Sequence, residues 1–94
     1  MSDRIRKDGH HYDPTVISYR FEDIEVGDFV RLNANLLPDR LQWAKGFDWE
    51  FEYLITSLKT GHQCVYLYGG DRDWAKTYAF EVDTIDKVVR RARK

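Results

Sequence analysis

Two segments in the middle of the chain alternate in side-chain character with the two-residue period of a β-strand. In residues 50–58, one face carries the apolar side chains Phe51, Tyr53 and Ile55. The opposite face carries Glu50 and Glu52. A turn at residues 59–62 contains Gly61, and residues 63–68 follow as a second apolar segment. The pattern predicts an antiparallel hairpin, and the rest of the fold must be built around it.

Three further segments have the β-branched and aromatic composition of strands, and they are residues 15–21, 29–32 and 76–82; residues 87–90 fit a short strand or the start of a frayed helix. Gly27 and Asp28 predict a turn into the second of these, because glycine supplies the backbone freedom that tight turns need. Residues 83–86 fit one tight helical turn. Between residues 33 and 49 the alternation fails, which predicts a long loop that packs its own aromatic rings, with a short helical turn at residues 39–44.

The length of 94 residues favours a single core, so we expect one domain over residues 15–94. Residues 1–14 are polar and show neither structural period, which predicts a flexible N-terminal arm. The chain has neither the apolar run of a signal peptide nor a stretch of about 20 apolar residues that could cross a bilayer. Its only cysteine is Cys64, so we expect no disulfide and no cysteine-based zinc site. A cytoplasmic protein without a cofactor is the expectation.

The order of these elements resembles the small SH3-like barrel, in which five strands close and a 3₁₀ turn precedes the last strand. The resemblance covers about residues 24–91 and is carried by residues 24–30 (Ile-Glu-Val-Gly-Asp-Phe-Val) and 80–88 (Phe-Glu-Val-Asp-Thr-Ile-Asp-Lys-Val). It implies an all-β, five-stranded barrel with a long first loop and a short helical turn near the C-terminus. The alternative architecture is an α+β domain with helices at residues 38–45 and 84–94.

Candidate catalytic and metal-binding groups are few. His10 and His11 lie between two aspartates on the predicted arm, where the fixed geometry of a metal site is not expected. Cys64 has His62 two residues away, but a Cys–His nucleophile also needs an orienting group and an oxyanion site. The acidic pairs Glu50/Glu52 and Asp71/Asp73 are typical of a solvated strand face and of a turn. We therefore expect a protein that is not an enzyme.

Charge is unevenly distributed although the net charge is only −1. Residues 21–54 hold eight acidic and three basic side chains, and aromatic residues, at 15% of the chain, are frequent in the predicted loops. Because exposed Trp and Tyr anchor interfaces, we expect a non-catalytic protein-interaction module that binds basic residues of a partner. A small inhibitor or accessory factor, including one of viral origin, fits this expectation. The predicted contact residues are Trp43, Phe47, Trp49, Glu50, Glu52, Tyr68 and Trp74. Alternatively, these rings cap the core.

The second functional hypothesis is a nucleic-acid-associated SH3-like barrel. Residues 86–94 hold five basic side chains and one acidic one, which suits contact with phosphates. The predicted contact residues are Arg31, Arg72, Lys76, Arg90, Arg91 and Arg93. Against this hypothesis, the aromatic residues lie in an acidic context that repels a phosphate backbone.

Overall fold

A computed structural model of the chain describes residues 14–70, 73 and 75–92. The strands are β1 (Thr15–Ser18), β2 (Arg20–Phe21), β3 (Ile24–Glu25), β4 (Phe29–Leu32), β5 (Trp49–Ser57), β6 (Gln63–Gly69), β7 (Lys76–Glu81) and β8 (Ile85–Arg90). The 3₁₀ helices are η1 (Ala34–Leu36), η2 (Asp39–Ala44) and η3 (Val82–Thr84). The predictions for the arm up to residue 13, for the Asp71/Asp73 pair, and for Arg72, Trp74 and Arg93 concern positions wholly or partly outside the described residues.

The predicted all-β class is confirmed, and so is the central hairpin. The main sheet has the order β7-β6-β5-β4-β8, with β1 alongside β5, and every pairing is antiparallel. Strands β2 and β3 form a separate two-stranded sheet. The α+β alternative is wrong, because residues 39–44 form only a 3₁₀ helix and residues 85–90 form a strand.

The predicted closure of the barrel is wrong. Strands β4 to β8 and the 3₁₀ turn η3 before the last strand occur in the expected order. However, β7 and β8 lie at opposite ends of the sheet, and no pairing joins them within the described part of the chain. After η3 the chain crosses to β4, and β8 pairs with β4 with two register shifts. Because β8 is paired there, it does not reach the free edge of β7. The domain is therefore an open antiparallel sheet.

Strand β5 is bent by a β-bulge at Glu52. Phe51 lies opposite Leu67, and Tyr53 lies opposite Tyr66, so β5 has one extra residue between these two pairs. The prediction that Phe51, Tyr53 and Ile55 share a face is consequently wrong: Phe51 is buried, whereas the alternation resumes with Leu54 buried. Tyr53 and Ile55 face the other way. Before the bulge β5 pairs with β4, and after it β5 pairs with β1.

A single group of buried side chains lies between the inner face of this sheet and the segment that carries η1 and η2. Its members are Ile24, Val30, Leu32, Leu37, Ala44, Trp49, Phe51, Leu54, Val65, Leu67 and Phe80. Trp49 is fully buried, and its indole Nε1 donates a hydrogen bond of 3.0 Å to the carbonyl of Ala44. The long loop therefore packs its own aromatic residues, as predicted. No helix of the described residues has the length and apolar character to cross a membrane.

A buried carboxylate ties the C-terminal end of the described chain to the predicted Gly27–Asp28 turn. Asp28 accepts hydrogen bonds from the backbone N–H groups of Glu25 (3.0 Å) and Ala92 (2.7 Å). The guanidinium of Arg91 also contacts it, at 3.0 Å. Burial alone would raise the pKa of Asp28, but the two backbone hydrogen bonds and Arg91 together hold its pKa below the ordinary value.

Candidate functional site

The structure divides the predicted contact residues between two places. Trp49 lies wholly inside the core, and Phe47 is half-buried against it, with ring centroids 6.2 Å apart. Trp43 remains 40% exposed and packs edge-on against Tyr78 at 5.1 Å. Trp49 therefore belongs to the core, whereas Trp43 keeps a substantial exposed surface. Glu50, Glu52 and Tyr68 lie elsewhere, on the outer face of the sheet.

The outer face of the sheet carries aromatic and aliphatic side chains where a solvated face ordinarily carries polar ones. Val65 and Leu67 point into the core, so their neighbours in β6 point outward. The strand register places Tyr66 opposite Tyr53 and Cys64 opposite Ile55, and it places Ile17 of β1 on the other side of Ile55. We name the apolar part of this surface the tyrosine face; it consists of Ile17, Tyr19, Tyr53, Ile55, Tyr66 and Tyr68.

The rings of the tyrosine face contact one another. Tyr53 and Tyr66 are stacked, with centroids 4.8 Å apart and planes 9° apart. Tyr19 packs edge-on against Tyr53 at 6.4 Å. Burial raises the pKa of Tyr66, and the neighbouring Cys64 and Tyr53 raise it further, so this phenol is neutral at physiological pH. Exposure nevertheless remains high at the margins: 52% for Ile17, 63% for Tyr19 and 42% for Tyr68.

Glutamates border the tyrosine face. Glu50 lies opposite Tyr68 across the hairpin. Glu52, at the bulge, accepts a hydrogen bond of 2.7 Å from the Thr77 hydroxyl, and Thr77 lies on the other side of Tyr68. Glu81 lies at the other end of β7. Among the described residues, the outward positions of β1, β5, β6 and β7 include neither lysine nor arginine, so this surface is acidic.

The described basic residues of the nucleic-acid hypothesis contact groups of their own chain. Arg31 pairs with Asp48 at 2.6 Å, and Arg91 pairs with Asp23 at 2.9 Å as well as with Asp28. The Arg90 guanidinium lies 4.1 Å from the ring centroid of Phe29, and the Lys76 ammonium lies 5.2 Å from that of Tyr78. Arg31, Arg90 and Arg91 lie at the β4–β8 end of the sheet, whereas Lys76 begins β7 at the opposite end.

A cluster of three potential ligands lies where β6 begins and β7 ends. His62 Nε2 is 2.7 Å from Glu81 Oε1, and the Cys64 Sγ completes a group whose ligand atoms all lie within 4.8 Å of one another. Burial raises the pKa of the Cys64 thiol, and the Glu81 carboxylate raises it further, which disfavours a reactive thiolate. Sequence reasoning considered Cys64 with His62 but missed Glu81, because only the strand register places it opposite Cys64.

Comparison of the chain with protein-family models, with curated proteins and with solved structures finds no match in any of the three. The chemistry of the exposed surfaces is therefore what indicates a function for this domain.

Proposed function

We propose that this chain is a non-catalytic protein-interaction module and that its docking surface is the tyrosine face. The observation that carries the proposal is the contiguous aromatic and aliphatic surface on the outer side of β1, β5 and β6, with Ile17, Tyr19 and Tyr68 each more than two-fifths exposed. Contiguous exposed apolar surface on a soluble domain marks an interaction site far more often than an isolated exposed leucine does.

The composition of this surface suits a protein partner. Tyrosine is enriched at protein interfaces, because its ring supplies apolar contact area and its hydroxyl still finds a hydrogen-bond partner. The stacking of Tyr53 on Tyr66 holds both rings in place before binding, which lowers the side-chain entropy lost on association. Truncation of an anchor of this type costs about 2 kcal/mol or more of binding energy.

The glutamates determine which charge a partner of this surface should carry. Glu50 and Glu52 flank Tyr68, and no lysine or arginine occupies the outward positions described for these strands. Electrostatic complementarity therefore favours a segment or surface that presents arginine or lysine beside apolar side chains. A nucleic acid would bring phosphates toward these glutamates, which disfavours the second hypothesis at this surface.

We also infer that the domain is an open relative of the SH3-like barrel. The order β8-β4-β5-β6-β7, the long segment between β4 and β5, and the 3₁₀ turn before β8 support this relationship. In this interpretation, the present chain differs from the SH3-like barrel at β1 and on the outer side of the hairpin, where it carries the tyrosine face.

A titration followed by NMR tests the proposed function. A panel of peptides that combine arginine with leucine or tryptophan is added to the isotope-labelled chain, with a scrambled acidic peptide as the control. We expect amide shifts confined to β1, β5 and β6, and an affinity that Tyr68→Ala lowers at least about tenfold. Glu50→Lys should weaken binding most at low salt. Leu36→Ala, an exposed leucine in η1, is the matched control and should change nothing.

Three results would contradict the proposal. Amide shifts centred on Trp43 would mean that the interface lies on the long segment between β4 and β5. Amide shifts centred on β8 after addition of DNA or RNA would favour the nucleic-acid hypothesis. Sedimentation showing a dimer that Tyr68→Ala dissociates would mean that the tyrosine face binds a second copy of the chain, and not a basic partner.

A further inference from the structure

We infer that His62, Cys64 and Glu81 form a zinc-binding site with one open coordination position. This inference does not depend on the proposed interaction function. It departs from the sequence-based expectation that a single cysteine allows no zinc site, because that expectation assumed that several cysteines would be needed.

The backbone brings the three residues together. His62 directly precedes β6, and Cys64 lies two residues later, so the two side chains follow the alternation that places them on one side of the strand. Glu81 is paired with Cys64 in the neighbouring strand β7. Directly opposed residues on one face of an antiparallel pair have Cβ atoms about 5 Å apart. Strand pairing thus fixes Cys64 and Glu81, while His62 lies at the end of the hairpin connection, where its carbonyl accepts a hydrogen bond from the Ser57 N–H.

The distances fit a metal ion with minor side-chain rotation. The imidazole nitrogen, the sulfur and the carboxylate oxygen all lie within 4.8 Å of one another. Zinc bonds of about 2.3 Å to sulfur and about 2.0–2.2 Å to nitrogen and oxygen place ligand atoms of a tetrahedron somewhat closer than that. The present 2.7 Å contact between His62 and Glu81 would lengthen as the ion inserts between them.

The three types of donor atom favour zinc over calcium and magnesium. One thiolate, one imidazole and one carboxylate match the ligands that zinc takes, whereas calcium and magnesium prefer oxygen donors alone. Three protein ligands leave the fourth tetrahedral position to water or to another molecule. Cys64 and Glu81 also line a cavity of about 230 Å³ together with Pro38, Arg40 and Leu41.

Cobalt substitution provides the test, because Co²⁺ reports on thiolate ligation and on tetrahedral geometry by its absorption. The full chain carries His10→Ala and His11→Ala, so that the two N-terminal histidines do not compete for the metal. We expect one Co²⁺ per chain, a thiolate charge-transfer band in the near ultraviolet, and displacement of Co²⁺ by Zn²⁺. Cys64→Ser should abolish the band, and His62→Gln or Glu81→Gln should weaken Zn²⁺ binding at least about tenfold.

Two controls keep the inference falsifiable. Glu50→Gln removes a carboxylate from the same sheet, away from Cys64, and should leave Zn²⁺ affinity unchanged. In the chain with Cys64 intact, Zn²⁺ should slow alkylation of the thiol, a readout that does not depend on a variant folding. Absence of the charge-transfer band, unchanged alkylation, or one ion shared between two chains would overturn the single-chain site.

Discussion

Asp28 is a buried carboxylate whose two oxygens accept hydrogen bonds from three donors. One oxygen accepts from the Ala92 N–H, and the other accepts from the Glu25 N–H and from Arg91. Since these donors hold the pKa of Asp28 below its ordinary value, the ionised carboxylate stabilises the fold above the pKa of the unfolded chain, about 3.9. That contribution is lost as pH falls through the lower pKa of the folded state.

We therefore expect Asp28→Asn to lower the free energy of unfolding by about 1–3 kcal/mol at pH 7, because the amide cannot satisfy all three donors. The difference from the unaltered chain should shrink at acidic pH, as the pH falls through the lowered pKa of the folded state and Asp28 itself becomes protonated. Urea denaturation at the two pH values measures both quantities. Asp23→Asn removes only the exposed partner of Arg91 and should cost less than about 1 kcal/mol. Equal losses at both pH values would contradict the assigned role of the charge.

Gly27 meets two constraints at once. Its φ is +95°, and a Cβ built there would lie 2.9 Å from the Cβ of Ala92. We expect Gly27→Ala to destabilise the chain by about 2–3 kcal/mol, measured by thermal unfolding. Gly61 has a φ of +79° but open space around it, so Gly61→Ala should show the backbone cost alone, about 1 kcal/mol. Adding Ala92→Gly should recover part of the loss at Gly27; failure to do so would rule out the steric contact.

The 3₁₀ helix η2 is joined to the sheet by Trp49. The indole donates to the carbonyl of Ala44 at the end of η2, while its ring contacts Phe80 at 5.1 Å and Tyr78 at 5.8 Å. A short 3₁₀ helix has little stability of its own, so this buried side chain holds it in position together with the Gln42 amide, which donates to the carbonyls of Ala34 and Leu37.

Trp49→Phe should accordingly lower the free energy of unfolding by about 2–4 kcal/mol, because it leaves a cavity and an unsatisfied carbonyl. The half-exposed ring of Trp43 provides the comparison: Trp43→Phe should cost less than about 1.5 kcal/mol. Far-UV circular dichroism is the suitable probe, since both substitutions alter tryptophan fluorescence. Similar losses for the two variants would mean that η2 is held by something other than Trp49.

Sequence reasoning was sufficient for the hairpin and for the 3₁₀ turn after β7, because local alternation and turn residues determine both. It failed at Glu52, since the spacing of Phe51, Tyr53 and Ile55 is regular in the sequence. The bulge is set by pairing with a distant segment: the Phe51 N–H donates to the carbonyl of Asp28, and its carbonyl accepts from Gly27. Tyr53 was missed as an outward-facing residue for the same reason.

The sheet as a whole remains open, and polar contacts hold its C-terminal end in place. Beyond β8, Arg91 and Ala92 reach back to Asp28 and Asp23 near β3. These contacts connect the two-stranded sheet β2–β3 to the last strand without any strand pairing between them.

Truncation after Arg90 should cost about 3–4 kcal/mol of unfolding free energy, because it leaves Asp28 buried and without the Arg91 and Ala92 donors. The same truncation in the Asp28→Asn chain should cost clearly less, since the two changes act on one network. A double-mutant cycle by urea denaturation gives the coupling. Strictly additive losses would show that the C-terminal residues stabilise the fold by another route.

The bulge in β5 also divides the strand into two parts with different surroundings. Its first residues pack Trp49 and Phe51 between β4 and β6, while its last residues carry Tyr53 and Ile55 toward solvent beside β1. In the proposed function, the second part supplies the apolar contacts Tyr53 and Ile55 of the tyrosine face. Under the proposed function, substitutions at Tyr53 and Ile55 can change the binding preference over generations with little loss of foldability, because the core side chains of β5 point to the opposite side of the sheet.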